Sequence, residues 1–166
     1  MPRITTLIAE IEAKLTKVYA DDYPDAKLTF GFGAKDLDRI DGTPRLTWIP
    51  LRASFTAPEK QGKGKSVITR NPLIGAHCWG GSYDDAEELV HQLILALRSS
   101  AHADVDLQGE DWPPELHTHD GIVAVVSFSV KVPVIRPPLR TVQANKLEAD
   151  TAGAAQGDGN LDWGEP

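Results

Sequence analysis

The chain has 166 residues, a net charge of −7 and 41% hydrophobic residues. That size fits one domain with an appended segment, and that apolar content supports a buried core, which excludes disorder throughout. The acidic balance argues against a general nucleic-acid coat or a polybasic membrane surface, and no apolar run approaches the roughly 20 residues that span a bilayer.

Ile4, Leu7, Ile8, Ile11, Leu15 and Val18 recur at helical spacing and predict a first amphipathic helix. Glu10, Glu12, Lys14 and Lys17 fall largely off its apolar stripe, and Asp21, Asp22 and Pro24 stop it near Ala20. Residues 27–32 predict a short strand that Gly31 and Gly33 loosen, and residues 34–43 read as a charged loop. Residues 45–55 predict a longer strand. Leu46 and Trp48 face one way; Ile49, Leu51, Ala53 and Phe55 share the other parity. Pro50 has no donor for a ladder, so an edge position or a bulge is expected there. Residues 56–66 hold Pro58, Gly62 and Gly64 among Lys60, Lys63 and Lys65, the pattern of a flexible basic loop at the tip of a long hairpin. The return strand begins at 67–70, is interrupted at Asn71-Pro72 and is completed by 73–79.

Ser82 is a good N-cap for a second helix at 83–98, with Asp85 at the capping-box position. Asp84, Asp85, Glu87 and Glu88 suit the positive end of its dipole, and Arg98 the negative end. Ala86, Leu89, Val90, Leu93, Ile94 and Leu97 make its buried face. Residues 105–110 predict a strand, and Trp112-Pro113-Pro114 a turn. Residues 121–132 are the strongest strand of the chain. Ile122, Ala124, Val126, Phe128, Val130 and Val132 line one face, while Val123 and Val125 bury its first half on both sides. The order of elements predicts an α+β fold: a mostly antiparallel sheet, two amphipathic helices packed on one face, and a long hairpin. Residues 1–136 form that domain. Beyond Pro137-Pro138, residues 137–166 make an extended polar C-terminal arm rich in Ala, Gly, Asp and Asn. Such a segment does not fold alone, so a partner subunit or neighbouring protein is expected to order it, docking on its own domain being the alternative. Leu147, Leu161 and Trp163 are its expected anchors.

The search for chemistry yields no catalytic, cofactor or metal residues. Gly62-Lys63-Gly64-Lys65-Ser66 ends like a phosphate loop but lacks the first glycine, the strand leading in and the helix leading out. His117, His119 and Asp120, with His77 and Cys78, offer ligand types without the spacing of a closed zinc site, and His77 and Cys78 point to opposite faces of a strand. Cys78 shares parity with Ile74 and Ala76, which reads as a buried thiol and not a nucleophile. The acids Glu110, Asp111, Glu115 and Asp120 read as a solvated loop; no local pattern holds two of them at a working distance. Lys60, Lys63, Lys65 and Arg70 form the basic patch. No aromatic interleaves them, so phosphate neutralisation is available and base stacking is not. A lone cysteine forms no intrachain disulfide, and the N-terminus lacks the basic-then-apolar order of a signal peptide, so cytoplasmic synthesis is expected.

From Ile4 to Val134 the chain resembles the tail terminator and tail-completion (neck) proteins of long-tailed bacteriophages. The resemblance is carried by Ala76-His-Cys-Trp-Gly80 running into Asp84-Asp-Ala-Glu-Glu-Leu89 and then Leu95-Ala-Leu97. An amphipathic N-terminal helix and a strand pair precede this segment, and a late strand at 123–132 closes the sheet. It implies a structural virion protein with no enzymatic activity and no cofactor, forming a hexameric ring that caps the head-proximal end of the tail tube. The implied partners are further copies of the chain, the tail tube protein and a neck or head-completion protein. The basic loop with Lys60, Lys63, Lys65 and Arg70 is expected to face a DNA channel, with non-specific contact to packaged DNA, or an acidic neighbour; no membrane contact is expected. The implied location is the tail/neck junction of the virion, after assembly in the host cytoplasm. The arm beyond Pro137, which a minimal terminator lacks, leaves a head-completion or neck connector role open. A competing class is a small cytoplasmic metal-dependent hydrolase using His77, His117 and His119.

Overall fold

The computed structural model describes residues 4–33, 43–61, 65–101, 104–118 and 121–134, with side chains left aside at 57–61 and 65–67. All of these lie in one unit, Met1–Val134. The arm with Leu147, Leu161 and Trp163 lies outside the described residues, as do Lys63, His119, Asp120 and most of the predicted 34–43 loop. Helix α1 (Ile4–Asp22) leads to strand β1 (Thr29–Phe32), then β2 (Arg45–Gln61), β3 (Lys65–Gly80), helix α2 (Tyr83–Arg98), β4 (Val105–Asp111), a 3₁₀ turn (Pro114–Leu116), β5 (Ile122–Val130) and β6 (Val132–Val134). The strands form one sheet in the order β1-β2-β3-β5-β4, with β6 on β3. Among the described residues only β1 and β2 run parallel; the other pairings are antiparallel. The fold is α+β.

Both helices lie on one face of this sheet. Leu7, Ile8, Ile11, Leu15 and Tyr19 of α1 and Leu89, Val90, Leu93, Ala96 and Leu97 of α2 share a core with Leu46, Trp48, Ile74, Ala76, Cys78, Ala124, Val126, Phe128 and Val130. The stripe of α1 thus ends on Tyr19, with Val18 only half-buried. Trp48 sits at the centre, its ring edge-on to Phe128 at 6.2 Å. Its Nε1–H donates to Glu12 Oε1 at 2.8 Å, which explains why a carboxylate is kept beside an apolar stripe. Ser82 caps α2 as expected: its Oγ accepts from Asp85 N, and its hydroxyl donates to the Asp85 carboxylate at 2.8 Å.

Three predicted features of the hairpin need correction. The parity of 45–55 is not uniform, because a bulge at Leu51 shifts the register between Pro50↔Ile74 and Arg52↔Leu73. One extra residue reverses every later side chain, so Ala53 and Phe55 share the face of Leu46 and Trp48, opposite Ile49. The predicted loop at 56–66 is mostly strand: β2 continues to Gln61 and β3 begins at Lys65, with a second bulge between Thr56 and Glu59. Asn71-Pro72 does not interrupt the return strand, since both residues stay paired with Ser54 and Ala53 on β2. On the other side of β3 the ladder lapses at Asn71-Pro72, between Leu73↔Ser129 and Arg70↔Val132. The imide has no N–H to give there, and Lys131 N turns instead to Asp104 O.

Candidate functional site

The joint between β3 and α2 carries the chain's single cysteine, and the geometry makes it architectural. Cys78 is fully buried, and burial pushes its thiol far above the ordinary range, which keeps it protonated and unreactive. His77 points to the opposite face, so it does not pair with Cys78. Gly80 lies directly beneath the first turn of α2: a Cβ there would fall 2.3 Å from Ala86 N and 2.8 Å from Ala86 Cα. Glycine at this point is what allows the strand to hand over to the helix at such close range.

The second face of the sheet is more enclosed than its solvent-side position suggests. Arg45, Thr47, Gly75, His77, Trp79 and Val123 are all buried there. Arg45 Nε donates to Thr47 Oγ1 at 3.3 Å, and Thr47 lies directly across from His77. His77 Nδ1 and Trp79 Nε1 have no hydrogen-bond partner. This buried polar row was not foreseen from the sequence. Alternation alone does not tell which face of a strand is covered. Burial lowers the His77 pKa below its ordinary 6.5. The unfolded chain therefore binds the proton more readily than the folded one. Stability supplied by neutral His77 is complete above about 6.5 and is lost as pH falls toward the lowered folded value. Urea unfolding across that window should show a stability that declines with acid, and His77→Leu should flatten that decline.

At the far end of β5 the predicted histidine and acid residues do not converge. The His117 ring meets Val123 O at 3.2 Å and the Tyr83 ring edge-on at 5.8 Å. Tyr83 also packs on Trp112 at 5.7 Å, and Trp112 Nε1–H donates to Glu110 Oε1 at 2.7 Å. Glu110, Asp111 and Glu115 are exposed around this aromatic pair. Among the described residues no three His, Cys, Asp or Glu side chains come together as metal ligands. A cleft of about 260 Å³ lies between the ends of the helices, lined by Tyr19, Tyr23, Asp25, Asp85 and Glu88 among others. Glu88 is held below the usual carboxylate range first by the Gln92 amide, at 2.8 Å, and also by the Tyr23 hydroxyl. Asp85 and Glu88 are tied up in local hydrogen bonds, with Ser82 and Gln92.

The hairpin is the remaining candidate, and it is the most unusual part of the molecule. Between Trp48 and Ile74 no described side chain joins the core cluster. Residues 50–52, 54–56, 68 and 70 are exposed, while Ala53, Thr69, Asn71 and Leu73 are half-buried and Pro72 is buried, so β2 and β3 run on as a ribbon with exposed side chains on both faces. β1 pairs with β2 only as far as Trp48, and beyond it no described strand borders β2. The ribbon carries Phe55, 67% exposed, and Ile68, 42% exposed, with Val134 of β6 at 44%. Of the predicted basic residues, Arg70 is exposed opposite Phe55, and Lys60 pairs in the ladder with Ser66, as Lys65 does with Gln61. The bulge expected at Pro50 is present, but its reversal of parity was not carried through to Phe55, which the register sets on the same side as Ile68.

Among the described residues no helix is long and apolar enough to cross a membrane. Comparison with known protein families and with characterised proteins finds no match to this chain.

Proposed function

We propose that this chain is a structural virion protein, similar to phage tail terminators, that assembles as a hexameric ring at the head-proximal end of a tail tube and joins it to the neck. It acts without a cofactor and catalyses no reaction. The observation that supports this reading best is the ribbon. A narrow ribbon of two strands, three where β6 joins it, that leaves its core and exposes a phenylalanine and an isoleucine is built to be covered by another chain. The two bulges and Pro50 blunt its open edge against indiscriminate pairing. Function then resides in surfaces between subunits, with the lysines at the hairpin tip turned toward a DNA channel or an acidic neighbour. A head-completion or neck connector of the same joint would use the same surfaces, and the protein that co-purifies with the ring, tube or neck, separates the two.

The test is charge reversal at the tip. A chain with Lys60→Glu, Lys63→Glu and Lys65→Glu should match the parent in circular dichroism and thermal unfolding. Particles assembled with it should be fewer or should lose DNA. Particles normal in number and DNA content would remove the tip from the assembly role.

A further inference from the structure

The cleft between the ends of the two helices has no part in the assembly reading, and its chemistry is one-sided. Tyr19 and Tyr23 of α1, Asp25 of the turn that follows, and Asp85 and Glu88 of α2 line its 260 Å³. Among the described residues of its wall there is no Lys or Arg. The last turn of α1 ends here on Asp21 and Asp22 and holds no basic residue. The negative end of that helix dipole is therefore left without a cation as well.

Tyr19 distinguishes this cleft from a solvated acidic patch. Its ring belongs to the core and only 5% of the residue is exposed. It nevertheless lines the cleft, and its hydroxyl makes no hydrogen bond. A hydroxyl on so buried a residue is ordinarily paired. Burial first, and then the charge of Glu88, hold this phenol protonated, so its oxygen keeps its lone pairs. The neighbouring acids also retain acceptor capacity. Asp85 engages Ser82 through Oδ2 and Glu88 engages Gln92 through Oε1. A carboxylate offers about four acceptor positions, so neither is exhausted.

Size and spacing narrow the occupant. The volume lies below the roughly 300–1,000 Å³ of a site for a drug-sized ligand, which suits a single side chain. Among the described residues no three acids come together as metal ligands. The cation must then reach separated oxygens while lying against the Tyr19 and Tyr23 rings, whose centroids are 5.1 Å apart. A guanidinium does this: it is planar, carries five donors in a fixed fork and stacks on aromatic faces. An ammonium concentrates its donors at one point.

We infer that this cleft is a docking site for an arginine side chain presented by a partner protein. The inference goes beyond the assembly reading and does not depend on it. Charge-assisted hydrogen bonds to Asp25, Asp85 and Glu88 supply most of the attraction, and the Tyr19 hydroxyl supplies a neutral acceptor at the floor.

Titration of the isotope-labelled full chain with the peptide acetyl-Gly-Arg-Gly-amide, followed by backbone amide shifts in NMR, tests it. Shifts at residues 19–25 and 85–88 should move and saturate. The citrulline peptide, which keeps the shape and loses the charge, should leave them in place, and the lysine peptide should bind several-fold more weakly. Asp25→Asn and Glu88→Gln should each weaken binding about tenfold, the loss of one charge-assisted hydrogen bond. Asp25 is exposed, so its variant keeps the fold. Tyr19→Phe keeps the ring in the core and should weaken binding only a few-fold. Shifts that never saturate, or that spread equally to Asp84 and Glu110, would mean charge screening and would overturn the proposal. So would an Asp25→Asn chain that binds the peptide as the parent does. Equal binding of the lysine or citrulline peptide would overturn the assignment to arginine.

Discussion

A Gly80→Ala chain is expected to lose about 3 kcal/mol of stability, the upper range for forcing extra volume into a packed site. The added methyl would fall 2.3 Å from a backbone nitrogen and 2.8 Å from two backbone carbons at Asp85 and Ala86. None of these is the far end of a flexible side chain. Relief requires the first turn of α2 to lift from the end of β3, which would loosen the Ser82 cap and the seat of Ala86 together. Thermal unfolding should shift down by roughly 10 °C for a unit of this size. Gly81→Ala is the control. Its new contacts are with side-chain oxygens of Thr43 and Asp85 at 3.3 and 3.4 Å, which can give way, so it should behave nearly as the parent. Equal, small effects at both glycines would mean that the joint is looser than described.

Trp48→Ala should be at least as damaging, at about 4 kcal/mol or roughly 15 °C in unfolding temperature. The side chain has no solvent exposure and touches both layers: Phe128 of the sheet through an edge-on ring contact, and Glu12 of α1 through its indole N–H. Truncation opens a cavity between helix and sheet and strips Glu12 of its partner. Trp48→Phe keeps most of the volume but not the donor, so it should cost clearly less. A Trp48→Phe chain as unstable as Trp48→Ala would assign the effect to the hydrogen bond and not to packing.

The helices were legible because their signals are local. Ser82 followed by Asp84 and Asp85, then apolar residues at helical spacing, located α2 at Tyr83–Arg98 without any tertiary information. Tyr19 was missed for a simple reason: a tyrosine at the end of a stripe can as well lie at the surface. The inner halves of the long strands were legible too, since Leu46 with Trp48 and Ile74 through Cys78 alternate against a covered face. The ribbon was not. A hairpin exposed on both sides has no buried face to impose alternation, so residues 56–66 looked like a loop rich in glycine, proline and lysine. The bulge at Leu51 leaves no mark in the sequence apart from Pro50, yet it decides which side Phe55 occupies. Strand order was beyond local reading, because β5 inserts between β3 and β4 by pairing across some 50 residues. The buried Arg45, Thr47, His77 and Trp79 row depends on what covers the second face, which composition does not encode.

The candidate surfaces follow the same division. The basic tip was visible as a run of lysines. The acidic aromatic patch was visible only in fragments, since Tyr83 and Trp112 are 29 positions apart and meet only in the fold.

The most direct test of the account is the native mass of the full chain over a rising concentration series. A subunit of a ring should pass from monomer to one closed species of fixed copy number, six for a hexamer, with no larger series beyond it. A chain that remains monomeric up to its solubility limit, or that halts as a dimer, would contradict the account.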